Sequence, residues 1–337
     1  MLNKYYQLIY IILVIFFIEI FLLSTQMLYS FYKYFLISEL NLIKRYGKDT
    51  WVVITGASSG QGRDFAIEFA KRGFNILMIG SERSYDTEKE IKEITKNKVK
   101  TLVLVKDFRN AFEDDFFNDI SVVFNQIGSD IGVLINNVGY RTAWKPYHQM
   151  PSELIKDTIA TGTMVQSRLT QIVIPYFLYR LNRFKLKSAL VNITAQCLHP
   201  NFLFGLSLSN EISVPYLSVY EAANAFGFYQ GNSIYKEYKD KFDILNITPG
   251  AVVTKNTEYL KNTSFSIDSK TFVKNIIRMM GNINGHTCAH WGHGLSNFLI
   301  NLGPFMKDGL LNDVGSNIAK NYMKDYQTNK DKYNIKL

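Results

Sequence analysis

Cysteine is scarce in this chain: Cys197 and Cys288 are the two in 337 residues. So few cannot build a disulfide framework, and a reducing compartment is the expected setting. Long basic runs are missing too. Lys and Arg outnumber Asp and Glu by 38 to 29, a net charge of +9, yet nowhere do five or more stand in succession. A basic excess can serve nucleic acid, an anionic membrane surface or an acidic partner. Without a cluster, nucleic-acid binding is not expected. No internal repeat is present, which excludes a solenoid or propeller. Charged residues make up 20% and apolar residues 47%. That is an ordinary globular balance enriched in hydrophobics, and the length suits one large α/β domain with extensions.

One stretch lacks charge almost entirely. From Tyr5 to Tyr32 there is no Lys, Arg or Asp, and Glu19 is the one acid. Its centre, Leu8 to Leu23, reads LIYIILVIFFIEIFLL; with its flanking Tyr and Leu it is long enough to span hydrocarbon. A cleaved signal peptide would have a shorter apolar core followed by a small-residue cleavage site, and neither is present. Lys33, Lys44, Arg45 and Lys48 follow the span, against Lys4 alone before it. The positive-inside rule then places the remainder on the cytoplasmic or matrix side. A carboxylate in hydrocarbon is costly unless neutralised or paired, so Glu19 is either protonated near the head groups or faces a polar group on a neighbouring membrane helix.

Beyond the span, Ser38 to Lys48 is amphipathic, and then strand and helix patterns alternate. Strands are expected at 50–55, 75–79, 100–105, 133–136, 188–193 and 242–247, each a short apolar run. Helices are expected at Arg63–Arg72, Thr87–Thr95, Phe116–Gln126 and Tyr220–Tyr238, with a long one at Glu153–Arg180 that Pro175 kinks or ends. Buried-type strands alternating with helices make a doubly wound parallel sheet. Residues Thr55-Gly56-Ala57-Ser58-Ser59-Gly60-Gln61-Gly62 lie between the first strand and the first helix. Glycines there permit a tight turn and let backbone N–H groups reach a pyrophosphate at the helix N-terminus.

That loop resembles the TGxxxGxG fingerprint of short-chain dehydrogenases/reductases. Asn136-Asn137-Val138-Gly139 resembles the family's NNxG motif, which supports the central sheet. Asp107-Phe108 resembles the pair that contacts adenine, and Pro249-Gly250 with Thr254 resembles the segment beside the nicotinamide. Trp51-Val52-Val53, Val214-Pro215 and Thr271-Phe272-Val273-Lys274 are similar to the membrane-anchored very-long-chain 3-oxoacyl-CoA reductases and related 17-beta-hydroxysteroid dehydrogenases. The resemblance runs from about Lys44 to Gly303 and implies a Rossmann-type fold that binds a dinucleotide.

The same resemblance implies a carbonyl reduction by Asn, Ser, Tyr and Lys, and here the chain departs. Tyr220 matches the proton donor. The YxxxK pattern reads Tyr220-Glu221-Ala222-Ala223-Asn224, and a neutral carboxamide cannot lower a phenol from its ordinary pKa of ~10. Ala195 stands where Ser is expected, and Gly162 falls near the Asn position. Two rescues are open. Thr194 has a hydroxyl one residue early, though such a slip points it to the opposite face. Ser207 lies near the family spacing before Tyr220, but only if NFLFGL rather than SALVNI is the strand. SALVNI is preferred, which makes Gln196–Ser213 an inserted loop. After the second strand, Arg83 would meet a 2′-phosphate while Glu82 would repel it, so NADP(H) is preferred over NAD(H), with an empty site as the alternative.

His286, Cys288, His290 and His293 sit close together, but their spacing matches no standard zinc pattern and no metal is expected. Sequons at Asn192 and Asn246 fall in core strands, and with the one at Asn262 read as chance matches.

The expected organisation is a transmembrane anchor over 1–37, an amphipathic linker over 38–49, the Rossmann domain over 50–303 and a helical tail over 304–337. The broken catalytic set and the anchor carboxylate point to a pseudoenzyme: an accessory or structural subunit beside other membrane subunits, possessing no evident small-molecule substrate. The alternative is an active NADPH-dependent 3-oxoacyl-CoA or hydroxysteroid reductase of the endoplasmic reticulum. The final Asn-Ile-Lys-Leu carries no retrieval signal, which favours the mitochondrial inner membrane and a respiratory-type host.

Overall fold

The computed structural model describes residues 2–128, 130–139, 146–195, 201–203, 206–208, 216–254, 263, 266–300 and 324. The expected tail over 304–337 lies outside them except for Lys324, as do Cys197, Val214, Pro215 and Asn262.

Leu2–Phe31 is a single 30-residue helix, α1. At ~1.5 Å per residue it is ~45 Å long, more than the ~30 Å hydrocarbon core of a bilayer. It runs on through a π-turn, Tyr32–Leu36. Among the described residues, Tyr5–Leu36 is the one helical stretch long and apolar enough to cross a membrane. Its apolar side chains are exposed along its length.

The domain that follows is built on seven parallel strands: β1 (Trp51–Thr55), β2 (Asn75–Gly80), β3 (Thr101–Val105), β4 (Ile131–Asn136), β5 (Ala189–Ile193), β8 (Asp243–Ile247) and β11 (Gly285–Thr287). Their spatial order is β11-β8-β5-β4-β1-β2-β3. The inner strands are buried on both faces, which is why they read as unbroken apolar runs rather than alternating ones. Helices α3 (Gly60–Lys71) and α9 (Ser269–Met279) contribute Phe65, Phe69, Phe272 and Ile276 to the core on one face. Helices α5 (Asp114–Ile127) and α7 (Val165–Phe184) contribute Phe117, Phe124, Leu169 and Phe177 on the other. Remaining elements are α2 (Leu42–Tyr46), α4 (Ser84–Thr95), α6 (Ser152–Ile159), α8 (Ser218–Tyr238), α10 (Trp291–Ile300), the pair β9 (Ala251–Val253) with β10 (Ser266–Asp268), and a hairpin of β6 (Asn201–Leu203) with β7 (Leu206–Leu208).

SALVNI is thus the sheet strand, and Asn201–Leu203 pairs instead with Leu206–Leu208, antiparallel and outside the main sheet, with Ser207 opposite Phe202. The long helix departs from expectation at a different place. Pro175 lies inside α7, which continues to Phe184. The irregularity is instead a π-turn at Ala160–Met164, between α6 and α7. Its small residues let α8 approach closely: a Cβ on Gly162 would lie 2.9 Å from the Ala223 Cβ.

Three asparagines share one row across the sheet. Asn136 Nδ2 donates to Asn192 Oδ1 at 2.9 Å, and Asn192 Nδ2 to Asn246 Oδ1 at 2.9 Å. The middle amide, Asn192, is satisfied from both sides, whereas Asn136 Oδ1 is buried without a partner among the described residues. Gly231 makes room for the row, since a Cβ there would stand 2.4 Å from Asn246 Oδ1. The sequons at Asn192 and Asn246 are therefore core positions, 0% and 2% exposed.

The segment between anchor and sheet is packed rather than loose. Ile37, Leu42 and Tyr46 belong to the same core as α3 and α9. Arg45 grips Asp243 with both arms, at 2.6 and 2.8 Å, and the Tyr46 hydroxyl adds a bond of 2.8 Å to the same carboxylate. Arg180, 0% exposed, donates to Thr50 Oγ1 at 2.8 Å and Ser188 Oγ at 3.2 Å, binds the Tyr46 carbonyl and pairs with Asp130. Arg278 Nη2 donates to the Tyr34 carbonyl at 2.7 Å, and Asn282 Nδ2 to the Ser38 carbonyl at 2.8 Å. Residues 34–46 therefore form a strap that is tied to α9, to the turn after it and to the start of β8.

Candidate active site

The loop after β1 is held open by positions that admit no side chain. Gly56 and Gly60 have φ of +70° and +54°, a region that favours glycine. A Cβ on Gly62 would lie 2.2 Å from the Gly56 carbonyl oxygen and 2.7 Å from Asn137 Nδ2, so α3 can start against the loop only with glycine there. Ser59 precedes α3 and makes no side-chain cap, which leaves the first N–H groups of the helix to a ligand. Thr55 staples the two motifs together: its hydroxyl accepts from Asn137 N at 2.9 Å and Val138 N at 3.0 Å, and its carbonyl accepts from Asn137 Nδ2 at 3.0 Å. A cradle of this shape fits a pyrophosphate.

The loop opens on a cavity of about 1020 Å³ at the carboxyl ends of the strands. Ser58, Ser59, Gly60, Gln61, Arg83, Asp107, Phe108, Asn136, Asn137, Gly139, Tyr220, Asn224, Thr194 and Thr254 are all brought to its walls. Gln61 Oε1 is buried there without a partner, an acceptor left for a ligand's donor. Thr55 and Gly62 act from behind the wall, and Pro249-Gly250 lead into β9, which carries Thr254 to it. Asp107 is engaged by Arg109, whose Nε donates at 2.9 Å; that contact holds its carboxyl below the usual range. Phe108 is only 8% exposed and packs on Phe116, so most of its ring is core. Arg83 makes no ion pair among the described residues.

The catalytic positions divide unevenly. Tyr220 stands in the first turn of α8 and lines the cavity. Asn224 lines it too, but its Nδ2 is turned back to the Tyr220 carbonyl at 2.8 Å. Thr194, expected to point away, does face the cavity; its hydroxyl, however, donates to the Ile247 carbonyl at 3.1 Å. Ala195 is not among the walls. Ser207 lies in the hairpin outside the main sheet, and its side chain is outside the described residues. The His/Cys group splits in two: His286 and Cys288 both meet Thr248, while the His290 and His293 rings lie 5.0 Å apart and His293 Nε2 meets the Ala251 carbonyl at 3.1 Å, and no three metal-binding side chains converge among the described residues.

Residues 50–264 match the family model described as short chain dehydrogenase. The chain belongs to the short-chain dehydrogenase family. Among curated relatives, the very-long-chain 3-oxoacyl-CoA reductase of Rattus norvegicus is 32% identical over 237 residues, covering 68% of each chain. The human protein of that name is 27% identical, covering 84% of this chain and 85% of its own. Hydroxysteroid dehydrogenase-like protein 1 of Gallus gallus is 28% identical, covering 77% and 73%. Among solved structures, a short-chain dehydrogenase from Sphingobium yanoikuyae in complex with NADPH superposes with a TM-score of 0.53 at 21% identity, covering 68% of this chain and 84% of its own. A 3-ketoacyl-(acyl-carrier-protein) reductase from Brucella melitensis complexed with NADH gives 0.57 at 15% identity, covering 71% and 95%. These structural likenesses establish the fold.

Sequence reasoning did not single out Thr158, Thr161, Gln166, Lys106 or Arg109, all of which line the cavity. Lys106 and Arg109 flank the Asp107-Phe108 pair, a signal that could have found them. Thr158, Thr161 and Gln166 gather because of the π-turn, which no composition cue announces.

Proposed function

We propose that this protein is a membrane-anchored dinucleotide-binding member of the family in which the proton relay for carbonyl reduction is not assembled. The observation that carries this reading is the Asn224 carboxamide, bonded to the Tyr220 carbonyl where the family places a lysine. A neutral amide does not favour the phenolate and cannot grip a ribose as an ammonium would. Thr194, a hydroxyl on the wall at the end of β5, is committed to the Ile247 carbonyl. Members of a cooperating catalytic set fail together, so losing one removes about 10³-fold or more of the rate.

The binding half of the site supports a retained ligand. The loop and the α3 N-terminus would hold the pyrophosphate, and Arg83 would meet a 2′-phosphate, favouring NADP(H) over NAD(H). When bound, such a group supplies a hydride; Tyr220, on the same wall, would offer the proton. Scaffold without turnover suits an accessory subunit of a membrane assembly, respiratory if the chain lies in the mitochondrial inner membrane. Glu19, midway along α1, supplies a polar contact for a neighbouring membrane helix.

A second reading, an active NADPH-dependent 3-oxoacyl-CoA or hydroxysteroid reductase, is favoured by the names of the curated relatives. The full-length protein in mild detergent separates the two. The expected result is NADPH binding by fluorescence with no oxidation on adding a long-chain 3-oxoacyl-CoA, together with co-purifying membrane subunits. A solitary protein whose turnover disappears on Tyr220→Phe would overturn the proposal.

A further inference from the structure

A second pocket lies at the foot of the anchor, remote from the dinucleotide cavity. It measures about 240 Å³ and is walled by Tyr34, Thr271, Asn275, Arg278, His290 and Trp291, with Ile267 and Ala289 completing it. Thr271, Asn275 and Arg278 recur at intervals of four and three residues on α9, hence on one face of that helix. Facing them is the N-terminus of α10, a ten-residue helix with no acidic residue in its first turn. Among the described residues the walls contain no carboxylate.

Two polar atoms of these wall residues lack a partner among the described residues. His290 is 8% exposed, and its Nδ1 is buried with no hydrogen bond. Arg278 spends Nη2 on the Tyr34 carbonyl at 2.7 Å, but its Nε is buried and unpaired. Buried polar atoms are almost always satisfied, so two orphan atoms on wall residues of one pocket mark a missing partner. A guanidinium, an imidazole, two polar side chains and the positive end of a helix dipole together select an acceptor-rich anion. The place is equally specific: Tyr34 belongs to the apolar stretch Tyr5–Leu36, and the Lys33 ammonium sits 4.6 Å over the Tyr34 ring. That is the depth at which lipid head groups lie.

We propose that this pocket is a phosphate site occupied by the head group of an anionic membrane phospholipid. It rests on α1 lying in the bilayer, which alkaline extraction of membranes tests separately; release by alkali would remove the lipid source and overturn the proposal. Native mass spectrometry of the full-length protein, released from detergent with phosphatidic acid, phosphatidylcholine or inorganic phosphate added, tests the site itself. Phosphatidic acid is expected to be retained about tenfold over phosphatidylcholine, the scale of one set of charge-assisted bonds. Arg278→Gln should bring the two toward parity. Because Arg278 also holds the strap, Asn275→Asp provides the control: it adds one negative charge to the wall, should abolish the preference, and should leave the melting temperature of the lipid-free protein unchanged. Equal retention of the two lipids, or a preference that survives both substitutions, would refute the site. Retention of inorganic phosphate without any preference for phosphatidic acid would place the same chemistry on a soluble anion and refute the lipid source.

Discussion

At Gly62 a single methyl group sets whether the loop can close on α3. Gly62→Ala would force a Cβ into the Gly56 carbonyl, at a cost of about 1–3 kcal/mol, and NADPH binding measured by fluorescence should disappear while the far side of the sheet stays folded. Asn224→Lys, at a position on the cavity wall, asks the converse question. Restoring the ammonium beside Tyr220 should raise NADPH oxidation with a 3-oxoacyl-CoA by at least about tenfold, read as initial rate. His290 makes a pH-dependent contribution. Burial and the adjacent His293 hold it down at about 4, whereas the unfolded ring titrates near its ordinary 6.5. Between those values the unfolded chain binds more protons, so stability is fully present above about 6.5 and is lost as pH falls toward 4. Thermal melts from pH 7 to 4 should show that decline, and His290→Gln should flatten it. At this scale the glycine pattern and Tyr220 were readable because their partners are near in sequence. Arg180 and Gly231 were not: Arg180 reaches Tyr46 and Thr50, and Gly231 serves Asn246, contacts that only folding creates.

Among the elements, the strap is the part that sequence periodicity undersold. An amphipathic stretch of eleven residues, 38–48, was legible as a linker. Its role as a tie to the start of β8 depends on Arg45, Tyr46 and Asp243 meeting across nearly two hundred positions. The Asp243 bond raises the Arg45 guanidinium above its ordinary value, and burial lifts the Tyr46 phenol well above its own. Asp243→Ala would strand both groups and should cost about 2–4 kcal/mol in urea denaturation. Truncation follows the same logic. Removing residues 1–33 should leave a cooperatively folding domain, whereas removing 1–49 should strip the sheet edge and lower the melting temperature or cause aggregation, as light scattering would show. The π-turn between α6 and α7 was equally hidden, because an apolar helix with small residues looks the same whether or not it carries the extra residue.

For the whole molecule, alternation of buried strands and helices was enough to read the parallel sheet, since strands covered on both faces leave continuous apolar runs. What alternation cannot supply is where the anchor joins. Tyr34 meets α10 beside the carboxyl end of β11, the same end of the sheet at which the dinucleotide cavity opens. Only β8 stands between β11 and β5, whose end carries Thr194 into the cavity wall, a distance of two strand spacings or roughly 10 Å. The foot of the anchor and the mouth of the cleft therefore share one end of the sheet, so whatever holds α1 in place also fixes how far the cleft can stand from it.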